Sequence, residues 1–287
     1  MTIEDPEFGS VNRYYNGTVG DYWLAWTNKS VSAVHFGYFG DGARSHSEAL
    51  IATSRRIADL AAISEGSLVV DAGCGLGGSS LWLASERQAR VVGLNVNFRQ
   101  MVLARQSAAE RGLSRRARFV IGDYTAMPLR TASVDAVIAI ESVVHAPDKA
   151  AFYREAARVL KPGGRLAMAE YMLPDRWPDE LDTSTNAEWL RGWAIPGLDS
   201  GASHLAHAAA AGLDDVAVMD VTEYVEPSLY LLHNLTFAGL PAHNLLSVLG
   251  LRTEVQRENL MSSRLQYRAL QAGGWFYAHL RARKPGP

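Results

Sequence analysis

Between Leu68 and Ala169 short apolar runs alternate with amphipathic segments. The runs are Leu68-Val69-Val70, Arg90 to Leu94, Arg118 to Ile121, Val134 to Ile140 and Arg165 to Ala169. Between them, Ser79–Glu86, Phe98–Arg111 and Lys149–Leu160 space their apolar residues as helices do. Strands separated by helices of that length read as βαβ units, with a parallel sheet covered on both faces. Lys161-Pro162-Gly163-Gly164 is expected to stop the third helix and turn the chain into the next strand. Val216–Val221 and Trp275–Leu280 predict two further strands with helical sequence between them. The expected fold is α/β and Rossmann-like. Its sheet is mostly parallel, with an antiparallel strand near the C-terminus, an N-terminal helical arm and a helical cap.

The flanks change the picture. Residues 1–62 read as an arm or lid crowded with aromatics, among them Tyr14, Tyr15, Tyr22, Trp23, Trp26, Phe36, Tyr38 and Phe39. Residues 63–287 read as the sheet domain, with helical insertions around 174–212 and 226–272. The first insertion holds Trp177, Trp189 and Trp193 and then an alanine-rich helix ending at Gly212. No internal repeat or low-complexity tract interrupts the chain.

Composition narrows the class. The 287 residues are 48% hydrophobic and 20% charged, which excludes a disordered, collagenous or disulfide-scaffold chain. Thirty acidic against 28 basic residues leave a net charge of −2, so a nucleic acid or an anionic membrane finds no electrostatic reason to bind. The single cysteine, Cys74, fits a reducing cytoplasm. Glu4, Asp5 and Glu7 without an apolar stretch argue against a signal peptide, and no run nears the ~18 residues of a membrane span.

The sharpest motif is Asp71-Ala72-Gly73-Cys74-Gly75-Leu76-Gly77-Gly78, after a strand and before a helix. Glycines there let backbone approach a ligand where a Cβ would clash. Gly73, Gly75 and Gly78 also satisfy G-x-G-x-x-G, so a nicotinamide-binding protein is a rival reading. Three further strand ends discriminate. Asn95 ends the second strand, where a ribose should lie. Gly122-Asp123-Tyr124 follows the third and offers a carboxylate and a ring to an adenine. Glu141-Ser142-Val143-Val144-His145 follows the fourth.

With these marks, and with Leu160-Lys161-Pro162-Gly163-Gly164 before the fifth strand, the chain resembles the class I S-adenosylmethionine-dependent methyltransferases from about Leu68 to Tyr171. The resemblance implies S-adenosylmethionine as cofactor. Asp71, Gly73 and Gly75 would hold its methionine part, Asn95 its ribose, and Asp123 with Tyr124 its adenine. Asn95 departs from the family's usual acid. Gln100 falls in a segment that touches the cofactor in the small-molecule subgroup. Glu141 could hold the methionine amine, hold a residue of the arm, or only cap a turn.

Val34-His35-Phe36-Gly37-Tyr38-Phe39 and Glu141 to Asp148 look like the small-molecule C- and N-methyltransferases, the group of tocopherol, sterol and cyclopropane-forming relatives. Arg13-Tyr14-Tyr15-Asn16, Glu170-Tyr171 and the closing stretch Gln266 to Tyr277 resemble the bacterial prenyl pyrophosphate C-methyltransferases, nearest the geranyl pyrophosphate C6 type. That resemblance implies a small-molecule prenyl pyrophosphate substrate and Mg²⁺ bound through the pyrophosphate. The expected chemistry is attack of an alkene carbon on the sulfonium methyl, then loss of a proton from the carbocation.

Glu170 is the expected base, placed at the pocket mouth. His145 is the rival, suited to a phenol or amine acceptor. Tyr15, Trp23, Phe36 and Tyr38 are the expected pocket-facing aromatics, since ring faces stabilise a cation. Arg176, Arg191, Arg264 and Arg268 are available for the pyrophosphate. The alanine-rich helix containing Ala210 reads either as close packing by strong helix formers or as the floor of a pocket deep enough for a chain longer than geranyl. His204 and His207 lack a third ligand, so no protein metal site is assigned. A homo-oligomer is compatible with the sequence, and a methyltransferase of another small natural product is the alternative function.

Overall fold

The computed structural model describes residues 9–27, 30–176 and 183–286. Trp177 and the acidic residues Glu4, Asp5 and Glu7 lie outside them. Two helices open the chain, α1 (Gly9–Ala25) and α2 (His46–Leu60). Then β1 (Leu68–Ala72), α3 (Gly78–Glu86), β2 (Arg90–Asn95), α4 (Phe98–Glu110), β3 (Ala117–Ile121) and β4 (Val134–Ile140) alternate. After a 3₁₀ turn at Val143–His145 come α5 (Lys149–Val159) and β5 (Leu160–Met172). The chain ends with α6 (Thr183–Gly192), α7 (Gly201–Ala210), β6 (Asp214–Asp220), α8 (Thr222–Val248), α9 (Glu254–Gln271) and β7 (Phe276–Arg283).

The seven strands form one sheet in the order β3-β2-β1-β4-β5-β7-β6. β1 to β5 pair in parallel, while β7 runs antiparallel to both β5 and β6. This is the expected Rossmann-like sheet. Its order reverses between β1 and β4, and the crevice at such a switch point is where open α/β sheets bind ligands. The central strands are largely apolar because helices cover both faces: Val69, Val70, Val137 and Ala139 are fully buried.

Side chains fix where several helices start. Asn97 accepts from the Gln100 N–H, Asp148 from Ala151 and Ser200 from Ser203, each an N-cap. Asn97 also ties the arm down, its amide donating to the side chains of Asn12 (3.0 Å) and Asn16 (3.1 Å).

One boundary differs from expectation. Lys161 to Gly164 does not separate helix from strand but lies within β5, which begins at Leu160. Leu160 pairs with Val134, the register then skips, and Gly163 adopts φ +79° while its N–H donates to the Lys284 carbonyl. The segment is a bulge pinned by the end of the chain.

No helix among the described residues is long and apolar enough to cross a membrane. Leu280 joins β7 to β5 opposite Met168 and is fully buried. Leu280→Ala should cost about 2–5 kcal/mol through the cavity it leaves. Urea unfolding would show this as a lowered midpoint with an unchanged slope.

Candidate active site

At the switch point lies a cavity of about 340 Å³ lined by the ends of β1, β2 and β4, the turns after β3 and β4, and the arm. Its floor begins at the glycine loop. Gly73 has φ +81°, and a Cβ on it would meet the Ser142 Cβ at 2.3 Å. The N–H groups of Gly73 and Cys74 both donate to the Leu94 carbonyl, which fixes the loop against β2. A Cβ on Gly78 would strike the Ser32 carbonyl at 2.6 Å, so the arm lies directly on the loop. The cradle thus leaves no room for side chains where a ligand's backbone contacts would form.

The polar residues stand around this loop. Asp71 is buried and accepts from the Ser80 hydroxyl at 2.6 Å. Burial pushes its carboxyl up to about 6, against the pull of Ser80. The Asn95 amide donates to Gln100 Oε1 at 2.7 Å, which joins the two residues expected near a ribose, and both line the cavity. Asp123 accepts from the Thr125 N–H at 2.7 Å and from its hydroxyl at 2.5 Å. The Tyr124 hydroxyl donates to the Ser142 carbonyl at 2.8 Å, and the Ser142 hydroxyl to the Ala72 carbonyl. Asp71, Gly73, Gly75, Asn95, Gln100, Asp123 and Tyr124 therefore come together on one wall.

The rest of the lining is largely aromatic. Tyr15, Tyr22, Trp26, Phe36, Tyr171 and Trp193 belong to it, and among the described lining residues there is no Arg or Lys. Glu141 sits within this wall at the end of β4, with φ +49°. Its Oε1 accepts from the Phe36 N–H (2.6 Å) and the Tyr277 hydroxyl (2.7 Å), and its Oε2 from the Tyr171 hydroxyl. Of the readings open from sequence, the geometry shows the one that holds the arm. Burial pushes Glu141 up to about 7 despite these three donors.

Glu170 is not at the pocket mouth. It is fully buried on β5 behind the lining, its carboxylate accepting from the N–H groups of Val144 (3.0 Å) and Tyr171 (3.2 Å). Strand alternation explains this: Glu170 and Tyr171 point to opposite faces, and only Tyr171 reaches the cavity. Burial, and then the charge of Glu141, push Glu170 up to about 8. His145 does line the cavity. Its Nδ1–H donates to the Ala194 carbonyl at 3.2 Å, which leaves Nε2 to accept from the Tyr15 hydroxyl at 3.1 Å. Burial lowers it to about 4, so the ring is neutral at pH 7.

Three other expected positions lie elsewhere. Trp23 is outside the lining, because Val11, Tyr14, Tyr15 and Tyr22 share the inner face of α1 and one residue beyond Tyr22 turns about 100° away. Tyr38 packs on Tyr224 and His279, with ring centroids at 5.1 and 5.6 Å. Ala210 is exposed at the end of α7, a helix packed on α5 and β6, so it does not floor the cavity. None of Arg176, Arg191, Arg264 and Arg268 lines the cavity either. His204 bonds to the Tyr153 hydroxyl and His207 to Asp199, and among the described residues no group of three or more His, Cys, Asp or Glu could hold a metal ion. The sequence reading missed Trp193 and Ser142 as wall residues. Trp193 arrives from a distant segment and carried no local signal, whereas Ser142 lay inside a motif already singled out.

Comparison with known proteins gives this geometry a family. The methyltransferase domain matches residues 70–168. The chain is 32% identical over 197 residues to 27-O-demethylrifamycin SV methyltransferase of Amycolatopsis mediterranei, covering 68% of this chain and 71% of that protein. It is 37% identical over 175 residues to a sterol 24-C-methyltransferase of Aspergillus fumigatus, covering 61% of this chain but 45% of that protein. A solved geranyl diphosphate C-methyltransferase from Streptomyces coelicolor, bound to Mg²⁺, geranyl diphosphate and S-adenosyl-L-homocysteine, superposes with a TM-score of 0.73 at 18% identity. That match covers 99% of this chain and 100% of that one, and it shows a shared fold. The chain belongs to the S-adenosylmethionine-dependent methyltransferases. Gly73→Ala should weaken S-adenosylhomocysteine binding at least tenfold by calorimetry. Gly66→Ala, at the same positive φ but with nothing within 4 Å, should leave binding unchanged.

Proposed function

We propose that this S-adenosylmethionine-dependent methyltransferase transfers its methyl to an alkene carbon of an isoprenoid acceptor. The observation that carries the reading is the cluster of aromatic side chains holding a hydrogen-bonded carboxylate, in the same cavity as the polar residues around the glycine loop. S-Adenosylmethionine supplies the electrophilic methyl. The glycine loop and Asp71 would take its methionine end, Asn95 with Gln100 its ribose, and Asp123 with Tyr124 its adenine. An alkene π pair forms the new C–C bond as the C–S bond breaks, which leaves a tertiary carbocation and a neutral thioether. Ring faces of Tyr15, Phe36 and Trp193 would each stabilise such a cation by roughly 0.5–2 kcal/mol in a dry cavity.

The cation then loses a proton. Tyr171 lines the cavity and donates to Glu141, so its oxygen can take that proton while its own passes to the Glu141 carboxylate. Glu170 is the second member of this carboxylate pair, and each charge raises the other's cost. Sulfonium binding would favour the ionised pair.

A prenyl pyrophosphate is the acceptor we infer, with the hydrocarbon tail inward. The cation-free lining gives a pyrophosphate no partner inside, so its head would stay at the mouth and any Mg²⁺ would travel with it. A geranyl tail entering first brings its 6,7-double bond to the methyl, with attack by C6 and the cation at C7. A second reading is O-methylation of another natural product. It is favoured by the neutral His145, whose Nε2 accepts from the Tyr15 hydroxyl and would accept from a substrate hydroxyl that displaced it, and by the likeness to the 27-O-demethylrifamycin SV enzyme.

Labelled S-adenosylmethionine with geranyl and farnesyl pyrophosphates, their alcohols, a sterol alkene and a phenol panel, each with and without Mg²⁺, tests the proposal. Label in a C-methylated prenyl pyrophosphate is expected; label confined to oxygen acceptors would overturn it. Glu141→Gln and Glu170→Gln should each lower kcat at least 100-fold, while His145→Ala stays within about tenfold of wild type.

The pH dependence carries a sign. The two carboxyls titrate near 7 and 8, and a proton acceptor must be ionised, so kcat/KM should rise with pH through 7–8. A rising limb near 4, where burial puts His145, that disappears in His145→Ala would instead assign the proton to the imidazole.

A further inference from the structure

The outer face of α8 is largely apolar and only partly covered within the chain, Tyr230 packing on Tyr267 of α9 (ring centroids 5.8 Å) and Phe237 lying under the Arg264 guanidinium (4.5 Å). On its inner side Val225, Leu229, Thr236 and His243 are buried, and Leu232 reaches the cavity. On the far side Tyr230, Asn234, Phe237, Pro241, Leu245 and Val248 are all exposed. These six recur at intervals of four, three, four, four and three, the spacing of a helix-pairing seam. A second row, including Leu235 and Leu249, lies beside it. No Asp, Glu, Lys or Arg occurs between Glu226 and Arg252.

We propose that this face is the contact between two copies of the chain, with α8 of one packed on α8 of the other. Two observations point to a second copy. The 3–4 spacing suits another helix, and an isologous pair needs only one patch that complements itself. Asn234, alone among the apolar seam positions, is the type of residue that sets the register of paired helices.

Area decides between a chance patch and an interface. Nine large apolar side chains from Tyr230 to Leu251 are 36–86% exposed. At roughly 150–250 Å² for a bare aromatic and somewhat less for Leu or Val, they leave on the order of 800 Å² uncovered. A standard interface takes about 800 Å² from each partner. Because Leu232 lines the cavity from the same helix, pairing would hold one cavity wall in place.

Sedimentation equilibrium of the full chain at micromolar concentration tests this. The wild type should be a dimer. Leu245→Glu/Val248→Glu, both far outside the core, should raise the dissociation constant at least 100-fold with S-adenosylhomocysteine binding unchanged. Val102→Glu, on an exposed apolar position of α4, should leave the mass alone. A monomeric wild type would overturn the proposal, as would a double variant that stays dimeric. So would a wild-type monomer that co-floats with phosphatidylcholine vesicles, which would give the face to lipid.

Discussion

Glu141 brings three parts of the chain to one carboxylate. It ends β4 and accepts from the arm through Phe36, from β5 through Tyr171 and from β7 through Tyr277. Burying an ionised carboxyl without partners costs several kcal/mol, so the group must be either bonded or neutral. Donors from three elements meet that demand, and each element is thereby fixed where the others need it. Without Phe36 held there, Ser32 and Val34 would not lie on the glycine loop, and the polar cofactor wall would lose its cover. The positive φ of Glu141 is part of the same constraint, since it turns the chain out of β4 toward the arm.

The same burial sets the proton inventory. Glu141 and Glu170 are both pushed toward neutral pH, chiefly by desolvation, and each charge disfavours the other's. The cavity wall is therefore poised to take up or release a proton where most carboxylates are locked ionised. His145 lies on the other side of neutrality. Burial keeps it uncharged, and its hydrogen bond to Ala194 fixes which nitrogen faces Tyr15. A carboxylate and a neutral imidazole thus line one cavity with protonation set by the same burial.

How much of this was legible in the sequence follows from the range of each signal. β1 to β4 and the helices between them are local patterns, and their bounds match to within a residue or two. The polar residues that line the cavity were legible for the same reason. Asp71, Asn95, Asp123 and Glu141 each stand at a strand end, and parallel strands bring such ends together without further information. The aromatic wall was not legible in the same way. Tyr38 and Trp23 have the right chemistry, but their facing depends on helix phase and on the route of the arm. For Trp23 the phase of α1 alone would have excluded it. Ala210 failed because an alanine-rich helix says how closely it packs, not against what. Glu170 failed by one residue of strand alternation, which puts Tyr171 in the wall and the carboxylate behind it.

The absence of Arg and Lys from the described cavity lining bears on what kind of acceptor can be held. A pyrophosphate is recognised by cations or by a metal, and an aromatic wall supplies neither. It does supply cover for hydrocarbon and a low dielectric in which a transient cation is stabilised by ring faces rather than by water. Selectivity within the cavity should then rest on the shape of an apolar chain. A shape filter of that kind discriminates weakly, about 1–3 kcal/mol for each methylene. Tighter discrimination between acceptors that share the same hydrocarbon tail would have to come from groups outside this aromatic lining.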